Sequence, residues 1–279
     1  MEKIQLSILF KIIGLGSASG LIYHNNTILS IGDNSTYLYE YHIDSNELYR
    51  HPLVENPEEN IAKISKSDFE AITQYQDSIY IFGSGSKANR NTMLHLNATT
   101  KKVVSNNDLS DLYLSMQSFG AIKPEDFNIE GAIYNGESWL FFNRGNGKNN
   151  KNIIFTVDGK NLTTDFRIVF NAYKLPKIKG VRTSFTDAIL VENKIYFLAT
   201  AENTESTFDD GEILGSIIGS IDLNTMKLDF TQQISDSHKF EGLTLFKKTE
   251  TEIEFLLCED NDTEIQESTI YKLILENRK

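Results

Sequence analysis

One short pattern recurs five times along the chain: Ser19-Gly20-Leu21-Ile22, Glu70-Ala71-Ile72-Thr73, Glu130-Gly131-Ala132-Ile133, Asp187-Ala188-Ile189-Leu190 and Glu241-Gly242-Leu243-Thr244. Each copy sets a small polar or acidic residue before Gly or Ala and then a β-prone pair, at intervals of 51, 60, 57 and 54 residues. A second strand-like run follows every copy: Thr27–Ile31, Ser78–Phe82, Ser138–Phe142, Lys194–Leu198 and Glu252–Leu257. In four copies two further runs follow, as in Tyr37–Ile43 with Glu47–His51, Met93–Leu96 with Lys101–Val104, and Gly215–Ile221 with Met226–Phe230. A four-stranded repeat of this length marks a β-propeller blade. One small sheet cannot bury both its faces, whereas radial stacking buries each face against a neighbour.

The last copy offers only three strands, Phe240–Leu245, Glu252–Leu257 and Thr269–Leu275, while residues 4–13 form an orphan strand ahead of the first copy. Joining the two gives a single all-β domain over residues 1–279: a five-bladed β-propeller of four-stranded blades, the last closed by the N-terminal strand. A six-bladed ring with extra strands in 159–184 is one alternative. Two β-sandwiches joined near 105–127, where Leu109–Met116 reads as helical before Pro124, are the other.

Composition narrows the function classes. The net charge of -12 lacks the basic footprint that nucleic acid or an anionic membrane requires. Cys258 is the single cysteine, so internal disulfides and cysteine-rich metal knots are excluded. Gln5, Ser7 and Lys11 interrupt the apolar residues of the first run, which fits a strand better than a signal peptide. No run reaches 18 uninterrupted apolar residues, so no membrane helix is expected. A cytoplasmic monomer is the expectation.

In a propeller, the loops leading into the innermost strands and those after the second strands open on one face around the axis. The first set supplies Ser19, Asp68, Glu70, Glu130, Asp187 and Glu241. The second set reads Gly32-Asp33-Asn34-Ser35, Gly83-Ser84-Gly85-Ser86 up to Arg90, Asn143-Arg144-Gly145-Asn146, Thr200-Ala201-Glu202 and Glu259-Asp260-Asn261. Convergent polar groups of this kind build binding pockets.

Three chemistries compete for the cluster. Glu70, Glu130, Asp187 and Glu241 offer the oxygen ligands that Ca²⁺ takes. Ser84, Ser86, Arg90 and Arg144, with Ser19, Asp33, Asn34, Asn143, Glu202 and Asp260 around them, suit a small polar molecule, and the arginines could clamp an anion. In the third reading the charges only neutralise one another and hold the ring together, leaving a blade face free for a protein partner. The histidines at 24, 42, 51, 95 and 238 are scattered, and only His238 falls near the expected mouth. Cys258 and Trp139 read as packing residues.

The runs Ser17-Ala18-Ser19-Gly20-Leu21, Lys66-Ser67-Asp68-Phe69-Glu70-Ala71, Phe82 to Arg90, and Asn128–Ala132 with Asn143–Asn146 together resemble an uncharacterised bacterial family, a domain of unknown function of propeller-like proteins. The resemblance spans roughly the whole chain and implies the fold without an activity. More remotely, the repeated acid–Gly pattern is similar to phytase-like and calcium-dependent esterase or nucleotidase propellers. Those families hold Ca²⁺ in the axial channel, which implies metal-assisted hydrolysis of esters or phosphoesters at Glu70, Glu130, Asp187 and Glu241. The chain departs from them in Ser19 and in lacking the basic cluster of alkaline phytases.

Overall fold

Every repeat folds as one antiparallel sheet of four strands, and five such sheets form a ring. The computed structural model describes residues 3–149, 151–207, 209, 211–260 and 266–276. Blade 1 comprises Gly20–His24, Thr27–Ile31, Tyr37–His42 and Glu47–Pro52. Blade 2 comprises Phe69–Tyr75, Ser78–Gly83, Thr92–Asn97 and Val103–Asp108. Blade 3 runs through Ile129–Tyr134, Ser138–Asn143, Asn152–Asn161 and Asp165–Tyr173, and blade 4 through Ser184–Val191, Lys194–Asn203, Glu212–Asp222 and Lys227–Gln233. Blade 5 comprises Phe240–Lys248, Glu252–Glu259 and Glu267–Glu276, with Lys3–Ile13 paired on its outer edge.

Period-two alternation explains why the second strands are apolar almost throughout. Adjacent side chains point to opposite faces of a sheet, and here both faces are buried. Phe141 joins the core between blades 2 and 3, and Phe142 the core between blades 3 and 4. Phe255 likewise packs toward blade 4 while Leu256 packs toward blade 1. The remaining core, around Leu29, Ile31, Phe69 and Ile81, lies between blades 1 and 2. Each buried Leu, Ile or Phe contributes about 1.5–3 kcal/mol relative to exposure, so these five seams hold the ring. Trp139 packs across one seam, edge-on to Tyr80 and Phe82 of blade 2. Buried Cys258 packs into another.

The first strand of each blade is innermost, and each touches the first strand of the next, from blade 1 around to blade 5 and back. A small residue on this strand answers the crowding in blades 1 and 5: a Cβ on Gly20 would stand 2.8 Å from Ile72 Cγ2, and one on Gly242 would stand 2.4 Å from Cys258 Sγ and 2.9 Å from Leu21 Cγ.

The ring closes as expected. Lys3–Ile13 runs antiparallel to the C-terminal strand, from Lys3 opposite Glu276 to Ile13 opposite Glu267, with Ile12 fully buried. The 159–184 stretch adds no blade: it completes blade 3 with Asp165–Tyr173 and adds a two-residue ribbon, Lys177–Ile178 with Val181–Arg182. Between blades 2 and 3 lies a helix, Ser110–Gly120, whose Leu112, Tyr113 and Met116 are buried in the seam.

Gly242→Ala should lower stability by about 1–3 kcal/mol, the usual cost of overpacking. Urea unfolding would measure it, and a wild-type midpoint would contradict the crowded-axis account.

Candidate functional site

Three acids reach the mouth of the ring by the same local device. In blade 2 the pairing steps from Phe69–Gly83 to Ala71–Phe82, leaving Glu70 as the extra residue of a β-bulge. Glu130 is skipped in the same way between Ile129–Asn143 and Gly131–Phe142, and Glu241 between Phe240–Glu259 and Gly242–Cys258. A bulge frees one residue from the ladder and re-aims its side chain. All three glutamates line the mouth.

Blade 4 departs by one residue. Phe185 pairs with Ala199 and Asp187 with Leu198, so Thr186 is the bulged residue. Asp187 therefore occupies the position of Ala71, Gly131 and Gly242, which the repeat read from sequence alone had merged with the acid position. Its carboxylate accepts the backbone N–H groups of Ala188 and Leu243, both at 2.7 Å, and so ties blade 4 to blade 5 away from the mouth. Ser19 is also buried off the lining, and its hydroxyl has no hydrogen-bond partner among the described residues.

The mouth encloses about 610 Å³. Among the described residues its lining carries eight carboxylates (Asp33, Asp68, Glu70, Glu130, Glu202, Asp209, Glu241, Asp260) and five basic side chains (Lys63, Lys66, Arg90, Arg144, Lys239), a formal excess of three negative charges. Two ion-pair networks organise them. In the first, Lys66 Nζ bonds Asp33 and lies 2.8 Å from Asp68 Oδ1, while Arg90 Nη1 donates to Asp68 Oδ2 at 2.6 Å. In the second, Arg144 reaches Glu130 at 3.1 Å, Glu202 of blade 4 at 2.5 Å and Glu241 of blade 5 at 3.6 Å. Lys239 continues it, 3.0 Å from both Glu241 and Asp260.

Glu70 belongs to neither network. Among the described residues its carboxylate makes no hydrogen bond or ion pair, yet the residue is only 9% exposed. Oxygens of Asp33, Asp68 and Glu70 lie within 4.8 Å of one another. Burial, and then the charges of Glu130, Asp68 and Asp33, push the Glu70 pKa well above the usual carboxylate range. Burial also raises Glu241 well above it, only partly offset by Lys239. Asp68 behaves oppositely: burial opposes its charge, but Lys66 and Arg90 hold it below its ordinary value.

The Gly83-Ser84-Gly85-Ser86 loop has little left to offer an anion. The N–H of Ser84 bonds Asp68 O, that of Gly85 bonds Arg90 O, and that of Ser86 bonds Ser84 Oγ. Ser84 Oγ and Ser86 Oγ both donate to Asp68 Oδ2. Gly85 is required by packing, since its φ is +72° and a Cβ would fall 2.5 Å from Tyr113. Arg90 and Arg144 likewise spend their charge on carboxylates. Asn143 is wholly buried and serves the backbone of Asn128, Arg144 and Lys151. Asp33, Asn34, Arg90, Arg144, Glu202 and Asp260 do line the mouth, as the topology implied. Asn261 lies outside the described residues. His238 turns from the mouth to Glu259, 2.6 Å away.

Lys66 and Lys239 were not singled out as site residues from the sequence. For Lys239 the available signal was spacing: Asp68, Asn128 and Lys239 each stand two residues before a bulged glutamate, and all three line the mouth. Lys66, four residues before Glu70, has no basic counterpart in the other two repeats. Asn60 and Lys63, from the long connection after blade 1, and Ser206 and Asp209, from a loop of blade 4, come from outside the repeat.

Residues 14–275 match the model of a family of unknown function, DUF6929. The chain belongs to that family. No curated protein matches the sequence. Among solved structures, the DUF6929 fold is similar to the major Malassezia sympodialis allergen Mala s 1, at TM-score 0.56 and 8% identity over 97% of each chain. A luciferin-regenerating enzyme superposes at TM-score 0.48 and 6% identity, over 99% of this chain and 98% of its own. A DUF4221 member from Bacteroides vulgatus superposes at 0.45 and 8%, over 99% of each. At these identities the likeness to Mala s 1 concerns fold alone.

Arg144→Ala should cost about 3–5 kcal/mol, because it strands buried carboxylates from three blades. Denaturant unfolding would read this, and a loss below 1 kcal/mol would contradict the clamp. Glu70 also predicts a pH dependence. Its raised folded-state pKa contributes stability that is full below the unfolded value and lost as pH rises through the folded value. Glu70→Gln cannot ionise, so its melting temperature should gain on wild type from pH 5 to pH 9. A constant difference across that range would contradict the assignment.

Proposed function

We propose that this DUF6929 protein is a small-ligand-binding propeller whose mouth takes a cation, Ca²⁺ by its donor chemistry, beside Glu70. The unpartnered Glu70 carboxylate carries the reading. Burying a carboxylate without a partner is costly, and a cation relieves that cost. Asp33 and Asp68 stand within 4.8 Å to share an ion. The donors are all oxygens, and no histidine or cysteine lines the cavity among the described residues, which suits a hard cation rather than zinc. The negative excess favours a cation over an anion, and about 610 Å³ leaves room for a polar molecule beside the ion. Bound there, Ca²⁺ would supply Lewis-acid chemistry for hydrolysis of an ester or phosphoester.

A second reading is supported by the cross-blade pairing of Arg144: the networks brace the wheel, and a blade face meets a protein partner. Melting in CaCl₂ or EDTA separates the two. Under the cation reading, Ca²⁺ at 100 times its dissociation constant adds about 2.7 kcal/mol, and Glu70→Gln loses that gain. A wild-type melting temperature indifferent to millimolar Ca²⁺ would leave the bracing role. A panel of phosphate esters and lactones, with and without Ca²⁺, would then test for hydrolysis.

A further inference from the structure

We infer that Lys66 is the mouth's resident cation, and that its departure from Asp33 and Asp68 is what admits a divalent ion in preference to a monovalent one. This rests on the cation reading of Glu70. Of the three clustered carboxylates, Asp33 and Asp68 already hold an ammonium, supplied by the chain itself, while Glu70 holds none. Lys66 is 8% exposed, so its charge is committed to this place.

The three carboxylates differ in what they keep if Lys66 leaves. Asp68 retains Arg90 and the hydroxyls of Ser84 and Ser86. Glu70 has no bond to lose, only the nearby charge of Lys66. Asp33 becomes an open ligand beside it. Lysine suits this task because its ammonium is a point charge on a flexible stem, unlike the rigid fork of arginine.

Charge counting gives the selectivity. With Glu70 ionised, as a cation beside it requires, three carboxylates against Lys66 and Arg90 leave a formal charge of −1. A divalent ion entering beside Lys66 makes the cluster +1, whereas the same ion replacing Lys66 makes it neutral. A monovalent ion replacing Lys66 leaves −1 and gains nothing over the lysine. In a buried cluster these differences are weakly screened.

Titration calorimetry with CaCl₂ at fixed ionic strength tests this on wild type, Lys66→Met, Lys66→Arg and Lys66→Met/Glu70→Gln. Lys66→Met should bind Ca²⁺ at least tenfold more tightly than wild type, the double variant should lose the gain, and Lys66→Arg should bind no more tightly than wild type. Equal or weaker binding by Lys66→Met, with wild type binding, overturns the role of Lys66 and leaves the cation reading standing. A gain that survives Glu70→Gln also overturns it. Absence of binding in both wild type and Lys66→Met overturns both. Binding by Lys66→Met alone shows that Lys66 never leaves in the native protein, and overturns both the inference and the cation reading. Should Lys66→Met fail to fold, Lys66→Arg decides: tighter binding than wild type, or no binding by wild type, overturns the inference, and equal or weaker binding beside a wild type that binds upholds it.

Discussion

Antiparallel pairing of Lys3–Ile13 with Glu267–Glu276 joins the two ends of the chain in one sheet, and the position of every group at the mouth follows from that closure. Without it blade 5 would be a three-stranded sheet ending at Glu267–Glu276. The seam holding Ile12, Leu21, Leu256 and Ile270 would also lose the strand that carries Ile12. Lys239, Glu241 and Asp260 come from blade 5, while Arg144 comes from blade 3 and Asp33 from the loop of blade 1. Only a closed wheel brings them around one cavity. The exposed Lys3–Glu276 and Lys11–Glu267 pairs at the ends of the closing strand add little, since solvent screens them. Apolar burial and the ladder itself do the closing.

Within the wheel, charge compensation shapes the mouth. Inner strands crowd around the axis and β-bulges turn three glutamates inward, so carboxylates from different blades meet at short range. Such a cluster survives only where cations, hydrogen-bond donors or protons stand between its members. Arg144 and Lys239 do this for Glu130, Glu202, Glu241 and Asp260, and Lys66 and Arg90 for Asp33 and Asp68. Among the buried carboxylates of the described residues, Glu70 is the member left over. The reading of the mouth as a cation site grows from that remainder rather than from the number of acids.

The blade count and strand runs were legible because each repeat carries its own turn signals and its own period-two alternation. Even the incomplete last copy announced that the N-terminal strand must complete it. The mouth was legible only in part. The loops after the second strands could be assigned to one face by topology, which placed Asp33, Arg90, Arg144, Glu202 and Asp260 correctly around the cavity. Asp187 shows the limit. Asp187-Ala188-Ile189 imitates Glu70-Ala71-Ile72, yet the bulge in blade 4 falls at Thr186, and one residue of register carries a side chain from the mouth to a seam. Gly83-Ser84-Gly85-Ser86 is a second case. Its glycines look like an anion loop, but they are there for the close approach of Arg90 and Tyr113.

The amino-acid order alone determined a wheel of five blades and which loops share a face, because repetition and alternation are local properties that each segment expresses by itself. Which charges neutralise which was decided only by the folded chain. Pairing between Arg144 and Glu202, or between Lys66 and Asp33, joins residues 58 and 33 positions apart, and depends on bulge register and on ångström-scale approach between blades. No stretch of sequence states those distances, since they are set by how neighbouring sheets pack.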